Sequence, residues 1–183
     1  MELKLTRPKK AAQWARIYRL YRSAFPMAER KPFAIIRRMQ RRGKTDIWYC
    51  ESGGQFAGLV ITINGPEQIL IDYLAVDPKQ RGGGIGSAIL GQLRQLYPGK
   101  GIFLEIESVW EDVPDRDARL RRKEFYLRGG FEPMNVMIWL FGVKMELLGI
   151  DCRLSYEQYQ AFYRDNYTPW AAEHISQAEH PEG

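Results

Sequence analysis

The run Arg81-Gly82-Gly83-Gly84-Ile85-Gly86 joins a strand-like segment to a helix-like one, and its residue types suit an anion. Glycines let the backbone approach a ligand closely, and the first N–H groups of a following helix point outward without intrahelical partners. Those amides and the helix dipole favour negative charge, and Arg81 adds a permanent cation able to pair with phosphate oxygens, so a pyrophosphate fits better than a carboxylate. A tight turn with no ligand accounts for three glycines equally well, and only the surroundings can decide. A Walker A loop is excluded because no Gly-Lys-Ser/Thr follows. The dinucleotide pattern G-x-G-x-x-G, started at Gly82, meets Ser87 where its third glycine belongs. Glu105 stands at a spacing resembling that pattern's ribose-binding acid, but the strands before the loop form a meander rather than a βαβ start. Carboxylates also interrupt apolar strands: Asp72 alternates in phase with Leu74 and Val76, and Glu105 and Glu107 with Phe103. In-phase residues share a face of their strand. A solvated face or an ion pair with nearby arginines is the competing account of each.

The elements that must hold these residues follow from periodicity. Trp14, Ile17, Tyr18, Tyr21 and Phe25 recur at helical spacing up to Pro26, which predicts a helix over about 10–25. Pro32 opens a second, basic helix with Ile35, Ile36 and Met39 opposite Arg37, Arg38, Arg41 and Arg42. Thr45–Glu51, Gln55–Asn64 and Gln68–Val76 read as an antiparallel meander with short links. The glycine loop then leads into a helix stopped by Pro98-Gly99. Gly101–Ser108 alternates like a strand, Asp115 or Asp117 caps a helix to Arg128, and Gly129-Gly130 ends it. Val136–Phe141 and Lys144–Ile150 predict two more strands meeting near Gly142. Ser155 and Gln158 form a capping box for a last helix that covers the sheet. The order α-α-β-β-β-α-β-α-β-β-α describes a mixed α/β sandwich.

A chain of 183 residues with 45% hydrophobic and 27% charged residues suits one compact domain, with a loosely ordered tail at 168–183. The longest apolar stretch, Val136 to Val143, is far shorter than the ~20 residues a membrane-spanning helix needs and reads as a core strand. No export signal opens the chain, so a cytoplasmic location is expected. Cys50 and Cys152, without CxxC or Cys/His grouping, argue against a disulfide framework and against zinc; no metal is expected. The net charge of +5 is compatible with a polyphosphate ligand as well as with nucleic acid. Nucleic acid is not the expected partner, because Arg37, Arg38, Arg41 and Arg42 lack interleaved aromatics on their face.

Together with its lead-in Leu74-Ala75-Val76-Asp77-Pro78, the loop resembles the R/Q-x-x-G-x-G/A segment and L-x-V-x-P approach of the GNAT N-acetyltransferases. Phe125-Tyr126-Leu127-Arg128-Gly129-Gly130-Phe131 resembles that family's F-Y-x-x-x-G-F block. The likeness covers about Ile69 to Phe131 and is architectural outside it. It implies the GNAT fold over residues 1–167, a mixed, mostly antiparallel sheet splayed around acetyl-CoA and flanked by helices. It also implies acetyl transfer from acetyl-CoA to the primary amine of a small molecule or peptide, by direct attack in a ternary complex and without metal. A non-catalytic acyl-CoA-binding or sensing module is the alternative, and a homodimer is left open.

Carried over position by position, the resemblance gives the backbone of Arg81, Gly82, Gly83, Gly84, Ile85 and Gly86 to the CoA pyrophosphate, with Ser87 just inside the helix. It gives the strand edge at Leu74, Ala75 and Val76 to the pantetheine arm and the oxyanion, while the side chains of Leu74 and Val76 are expected in the core. Tyr126 takes the place of the general acid that protonates the departing thiolate. The amine must lose a proton, for which Asp72 is the first candidate and Glu105 the second. Glu29 and Phe33, on the connection between the first two helices, would meet the acceptor, with Trp48 or Trp139 as further walls. The family's asparagine seven residues before the tyrosine is Arg119 here, and the cluster Arg119, Arg121, Arg122 and Lys123 faces either the CoA 3′-phosphate or solvent.

Overall fold

A computed structural model describes residues 2–180. Among the described residues, eight strands and six α-helices follow one another: β1 (Leu3–Thr6), α1 (Ala11–Ala24), α2 (Phe33–Arg41), β2 (Thr45–Ser52), β3 (Gln55–Asn64), β4 (Gln68–Val76), α3 (Ile85–Leu96), β5 (Gly101–Glu107), α4 (Arg116–Arg128), β6 (Glu132–Leu140), β7 (Val143–Ile150), α5 (Tyr156–Asn166), α6 (Pro169–Glu173) and β8 (Ile175–Ala178). The strands follow one another in the sheet as β1-β2-β3-β4-β5-β7-β6-β8. The β4–β5 pair is parallel, and β1–β2, β2–β3, β5–β7, β6–β7 and β6–β8 are antiparallel. This is the mixed, mostly antiparallel α/β arrangement expected. The chain packs as two compact units, one of Met1–Asn64 with Ile71–Pro98, the other of Gly65–Leu70 with Gly99–Gly183.

In the first unit Ile17, Leu20 and Tyr21 of α1 and Ile36 of α2 pack on Ile47, Tyr49, Phe56, Leu59, Ile61, Tyr73 and Ala75. The 3.6-residue apolar stripe of each helix is what buries it there. On β4 the core side is Tyr73 and Ala75, while Leu74 and Val76 are half-buried with Asp72. The expectation that Leu74 and Val76 fill the core is therefore corrected: strand alternation holds, but it is the other face of β4 that α1 covers. Gly58 of β3 marks the closest backbone approach, since a Cβ there would meet the Ala75 carbonyl oxygen at 2.5 Å. Gly58→Ala is expected to destabilise the protein by about 1–3 kcal/mol through this overpacking and to shift the Leu74–Val76 backbone. A denaturant titration checks the first effect; an unchanged midpoint would contradict it.

In the second unit the parallel ladder joins Gln68–Leu70 to Gly101–Phe103, and Leu104–Glu107 continue β5 beyond it, paired with β7. Helix α5 begins at the foreseen capping box, with Gln158 N donating to Ser155 Oγ at 3.3 Å and Ser155 N to Gln158 Oε1 at 2.9 Å. Its Tyr159 and Phe162 meet Phe103 edge-on. The stretch Val136–Val143 is corrected from a single core strand: β6 ends at Leu140, Phe141-Gly142 turn with positive φ, and Trp139, Phe141 and Val143 are exposed.

Three elements were not anticipated. β1 pairs with β2 despite its polar alternation. Residues expected in a loose tail instead form α6, where the Thr168 side chain accepts from Ala171 N at 3.0 Å, and β8, which pairs with β6. The last three residues of that tail lie outside the described residues. No helix among the described residues is long and apolar enough to cross a membrane. Cys50 and Cys152 are free, and no group of three or more His, Cys, Asp or Glu among the described residues is placed to hold a metal ion.

Candidate functional site

The glycine loop in the first unit is built from its lead-in. Asp77 closes a short 3-10 turn over Pro78–Gln80 by accepting from Lys79 N at 2.9 Å, and its own N–H is held by the Ala57 carbonyl. Gly82 at φ 82° and Gly84 at φ 73° then take the left-handed region, which side chains other than glycine's enter only with strain. Gly84 is the N-cap of α3 and offers no side-chain cap to the first-turn amides of Ile85, Gly86 and Ser87. A Cβ built on Gly82 or Gly84 meets nothing within 4 Å, so the backbone faces open space. Ile85 is buried and pins the start of α3, while Gly82, Gly83, Gly84 and Ser87 are exposed. Arg81 is exposed, its Nε donating to Val76 O at 3.4 Å. Left-handed glycines, uncapped helix amides and an exposed arginine fit a diphosphate.

Asp72, on the half-buried face of β4, does not stand alone. Lys31 Nζ lies 2.5 Å from Asp72 Oδ1, an ion pair largely withdrawn from solvent. Tyr73 fixes the segment that carries this lysine: its hydroxyl donates to Glu29 O at 2.8 Å and accepts from Lys31 N at 3.0 Å, and Tyr21 Oη donates to Lys31 O at 2.8 Å. Burial holds the Tyr73 phenol far above its ordinary range, so it remains a donor. Nothing local in the sequence announces the Lys31–Asp72 pair, because 41 residues separate its members. Phe33 packs against Tyr18 and Tyr21 with centroids at 5.3 and 5.4 Å, and Glu29 is exposed at the end of a 3-10 turn. Trp48 belongs to the core, its indole N–H donating to Tyr97 Oη at 3.1 Å.

The second unit holds the remaining candidates. Tyr126 is the buried residue of α4, with Phe125 and Phe131 around it at 5.0 and 5.7 Å. The helix ends as the F-Y-x-x-x-G-F block requires: Gly130 turns to φ 88° and Phe131 N reaches back to Tyr126 O at 3.1 Å. Burial pushes the Tyr126 phenol up to about 12, against a smaller opposing effect of the Arg122 charge. Glu105 accepts from both Tyr159 Oη at 2.6 Å and Tyr163 Oη at 2.7 Å. The i,i+4 spacing of these tyrosines on α5 was visible in the sequence, but not the strand they would face. Glu107 is paired with Arg119 at 3.2 Å and with Arg122, and Lys123 holds buried Glu146 at 2.7 Å. Three members of the basic cluster are thus engaged by carboxylates of their own unit, and Arg121 is exposed.

Residues 43–133 match the family model described as an acetyltransferase (GNAT) domain. The chain is 32% identical over 108 residues to YjbC of Bacillus subtilis (strain 168), named as an acetyltransferase; the match takes in 59% of this chain and 52% of YjbC, so the chain spans about half of that relative's length. Among solved structures it resembles a GNAT-family protein from Bacteroides thetaiotaomicron, with TM-score 0.72, 18% identity and coverage of 94% of this chain and 99% of the other. It also resembles spermidine N-acetyltransferase from Vibrio cholerae in complex with CoA and spermine, with TM-score 0.61, 14% identity and coverage of 81% and 94%. At such identities the structural likenesses establish the fold. With the matched domain running through β2, the glycine loop and the Tyr126 block, the chain belongs to the GNAT acetyltransferase superfamily.

Proposed function

We propose that this protein transfers an acetyl group from acetyl-CoA to a primary amine of a small molecule or peptide, by direct attack within a ternary complex. The observation that carries the proposal is the loop Gly82–Gly84 opening onto the uncapped first turn of α3, inside the segment that matches the acetyltransferase domain. Solved structures of the same fold hold CoA with spermine, or coenzyme A in an aminoglycoside 6'-N-acetyltransferase, and these names support an amine acceptor. The non-catalytic alternative is not favoured, since the domain match is to acetyltransferases.

In the proposed reaction the amine lone pair attacks the thioester carbonyl; a C–N bond forms, the C–S bond breaks, and the electron pair leaves on sulfur. The amides from Arg81 to Gly86, with Ser87, are assigned to the pyrophosphate, and the backbone at Leu74, Ala75 and Val76 to the pantetheine and the oxyanion. Tyr126 gives its phenolic proton to the departing thiolate. Asp72 takes the proton that the amine must lose. An incoming ammonium can replace that of Lys31 on Asp72 charge for charge, so the carboxylate need never stand uncompensated. Glu105, already accepting two tyrosine hydroxyls, is the second candidate, and Glu29 and Phe33 are assigned to the acceptor.

Asp72→Asn is expected to lower kcat/KM for the amine about 10²-fold while leaving acetyl-CoA affinity within twofold. Because Lys31 loses its counter-charge, a stability loss of about 3 kcal/mol accompanies it, so binding of acetyl-CoA serves as the folding control. A normal rate in Asp72→Asn together with a large loss in Glu105→Gln would transfer the base role to Glu105. Initial-rate kinetics with both substrates varied test the ternary complex: intersecting lines are expected, and parallel lines would contradict direct attack.

A further inference from the structure

We propose that the exposed faces of α1 and α2 form a binding surface for single-stranded nucleic acid. Residues 7–44 carry thirteen of the chain's 27 basic residues and one of its 22 acidic ones, Glu29, giving +12 there and −7 over the remainder. Asp46 and Asp72 of the remainder pair with Arg7 and Lys31, and beyond those two pairs the modest net charge of +5 still hides a segregated one. Arg16, Arg19 and Arg22 recur every third residue along α1, and Arg38, Arg41 and Arg42 cluster at the end of α2; all six are exposed. None of the described ion pairs engages Arg16, Arg19, Arg38, Arg41 or Arg42. Arg37 feels this crowding: partial burial first, and the Arg41 charge second, hold its guanidinium below the ordinary range. A surface with so many uncompensated cations is stabilised by an anionic partner.

Aromatic rings among the arginines point to nucleobases. The Arg37 guanidinium lies 3.4 Å from the centre of the Trp14 ring, joining the two helices, and Tyr18, exposed at 44%, has Arg22 at 5.8 Å on its ring. The interleaving that the linear sequence lacks is supplied by packing α1 beside α2. Phosphates on the arginines with bases on Tyr18 is the pattern of single-strand binding, where stacking adds to a positively charged track. A membrane surface is the weaker fit. Amphipathic helices bind bilayers by inserting an apolar face, and here those faces, Ile17, Leu20 and Tyr21 on α1 and Ile36 and Met39 on α2, are already buried in the protein.

The test uses the full chain and a labelled mixed-sequence RNA of about 16 nucleotides, with affinity measured between about 50 and about 200 mM salt. Binding that weakens steeply with salt is expected. The triple variant Arg38→Gln, Arg41→Gln, Arg42→Gln should lose affinity at least about tenfold and flatten the log–log salt slope by about 2, and Tyr18→Ala should lose about tenfold at unchanged slope. Acetyl-CoA affinity within twofold of the parent certifies both variants as folded and is independent of this surface, so failure here leaves the acetyltransferase proposal standing. Absence of RNA binding at the lowest salt, equal binding by the triple variant, or tighter binding to anionic phospholipid vesicles than to RNA would each overturn the proposal.

Discussion

Replacing Tyr126 by Phe is expected to lower turnover by about 10²-fold or more while leaving acetyl-CoA affinity within twofold. The two side chains differ by one hydroxyl, and Tyr126 already sits among Phe125 and Phe131, so the packing of α4 survives the change. In the proposed mechanism the function lost is proton delivery to sulfur. A phenol raised to about 12 by burial stays protonated through the neutral range, so the acid proposed here would stand in its competent form in every molecule. Two pH consequences follow. No alkaline loss of turnover below pH about 10 traces to Tyr126. In stability, a folded-state value above the unfolded one means that the contribution is complete below pH about 10 and lost as pH rises towards about 12, at about 3 kcal/mol for the full shift. A rate for Tyr126→Phe equal to the parent's would remove this residue as the acid.

Gly84→Val is expected to raise the KM for acetyl-CoA on the order of 10²-fold with a much smaller change in kcat. Gly84 adopts φ 73°, where a β-branched residue costs about 1–2 kcal/mol, and relief of that strain rotates the loop's amides away from their common target. Losing two charge-assisted hydrogen bonds to a phosphate group removes about 3 kcal/mol, which is roughly two decades in affinity. In the proposed assignment the loop holds the part of the cosubstrate that does not react, so the loss is expected in binding rather than as a slower chemical step. Calorimetric titration with CoA measures it directly. Because open space surrounds Gly84, a neighbour clash is not available as an explanation, and an unchanged affinity would mean that the loop binds no phosphate.

The glycine loop, the Tyr126 block and the order from α1 to α5 were legible because each is encoded locally. Glycines must sit where φ turns positive, capping residues stand three positions apart, and apolar residues repeat with the period of their element. What stayed hidden depends on packing between distant segments. Leu74 and Val76 read as core by composition, yet Tyr73 and Ala75 occupy that side because α1 lies there. An ion pair with nearby arginines is one of the accounts open for Asp72 and Glu107, and Glu107 does pair with Arg119 and Arg122, whereas the partner of Asp72 is Lys31, 41 residues away in the chain. β1 and β8 are four residues each and draw their stability from the neighbouring strand rather than from their own pattern. Tail residues of mixed polarity gave no periodic signal for α6, which its Thr168 cap and Pro169 start nonetheless define.

On the proposed function the chain moves acetyl from acetyl-CoA to an amine. The most direct measurement follows free CoA thiol with acetyl-CoA and a panel of polyamines, aminoglycosides and peptide N-termini, while mass spectrometry follows the acetylated amine. Thiol release that depends on the amine and matches acetylated product one for one is predicted. Firm binding of CoA with no amine-dependent thiol release across the panel would contradict it.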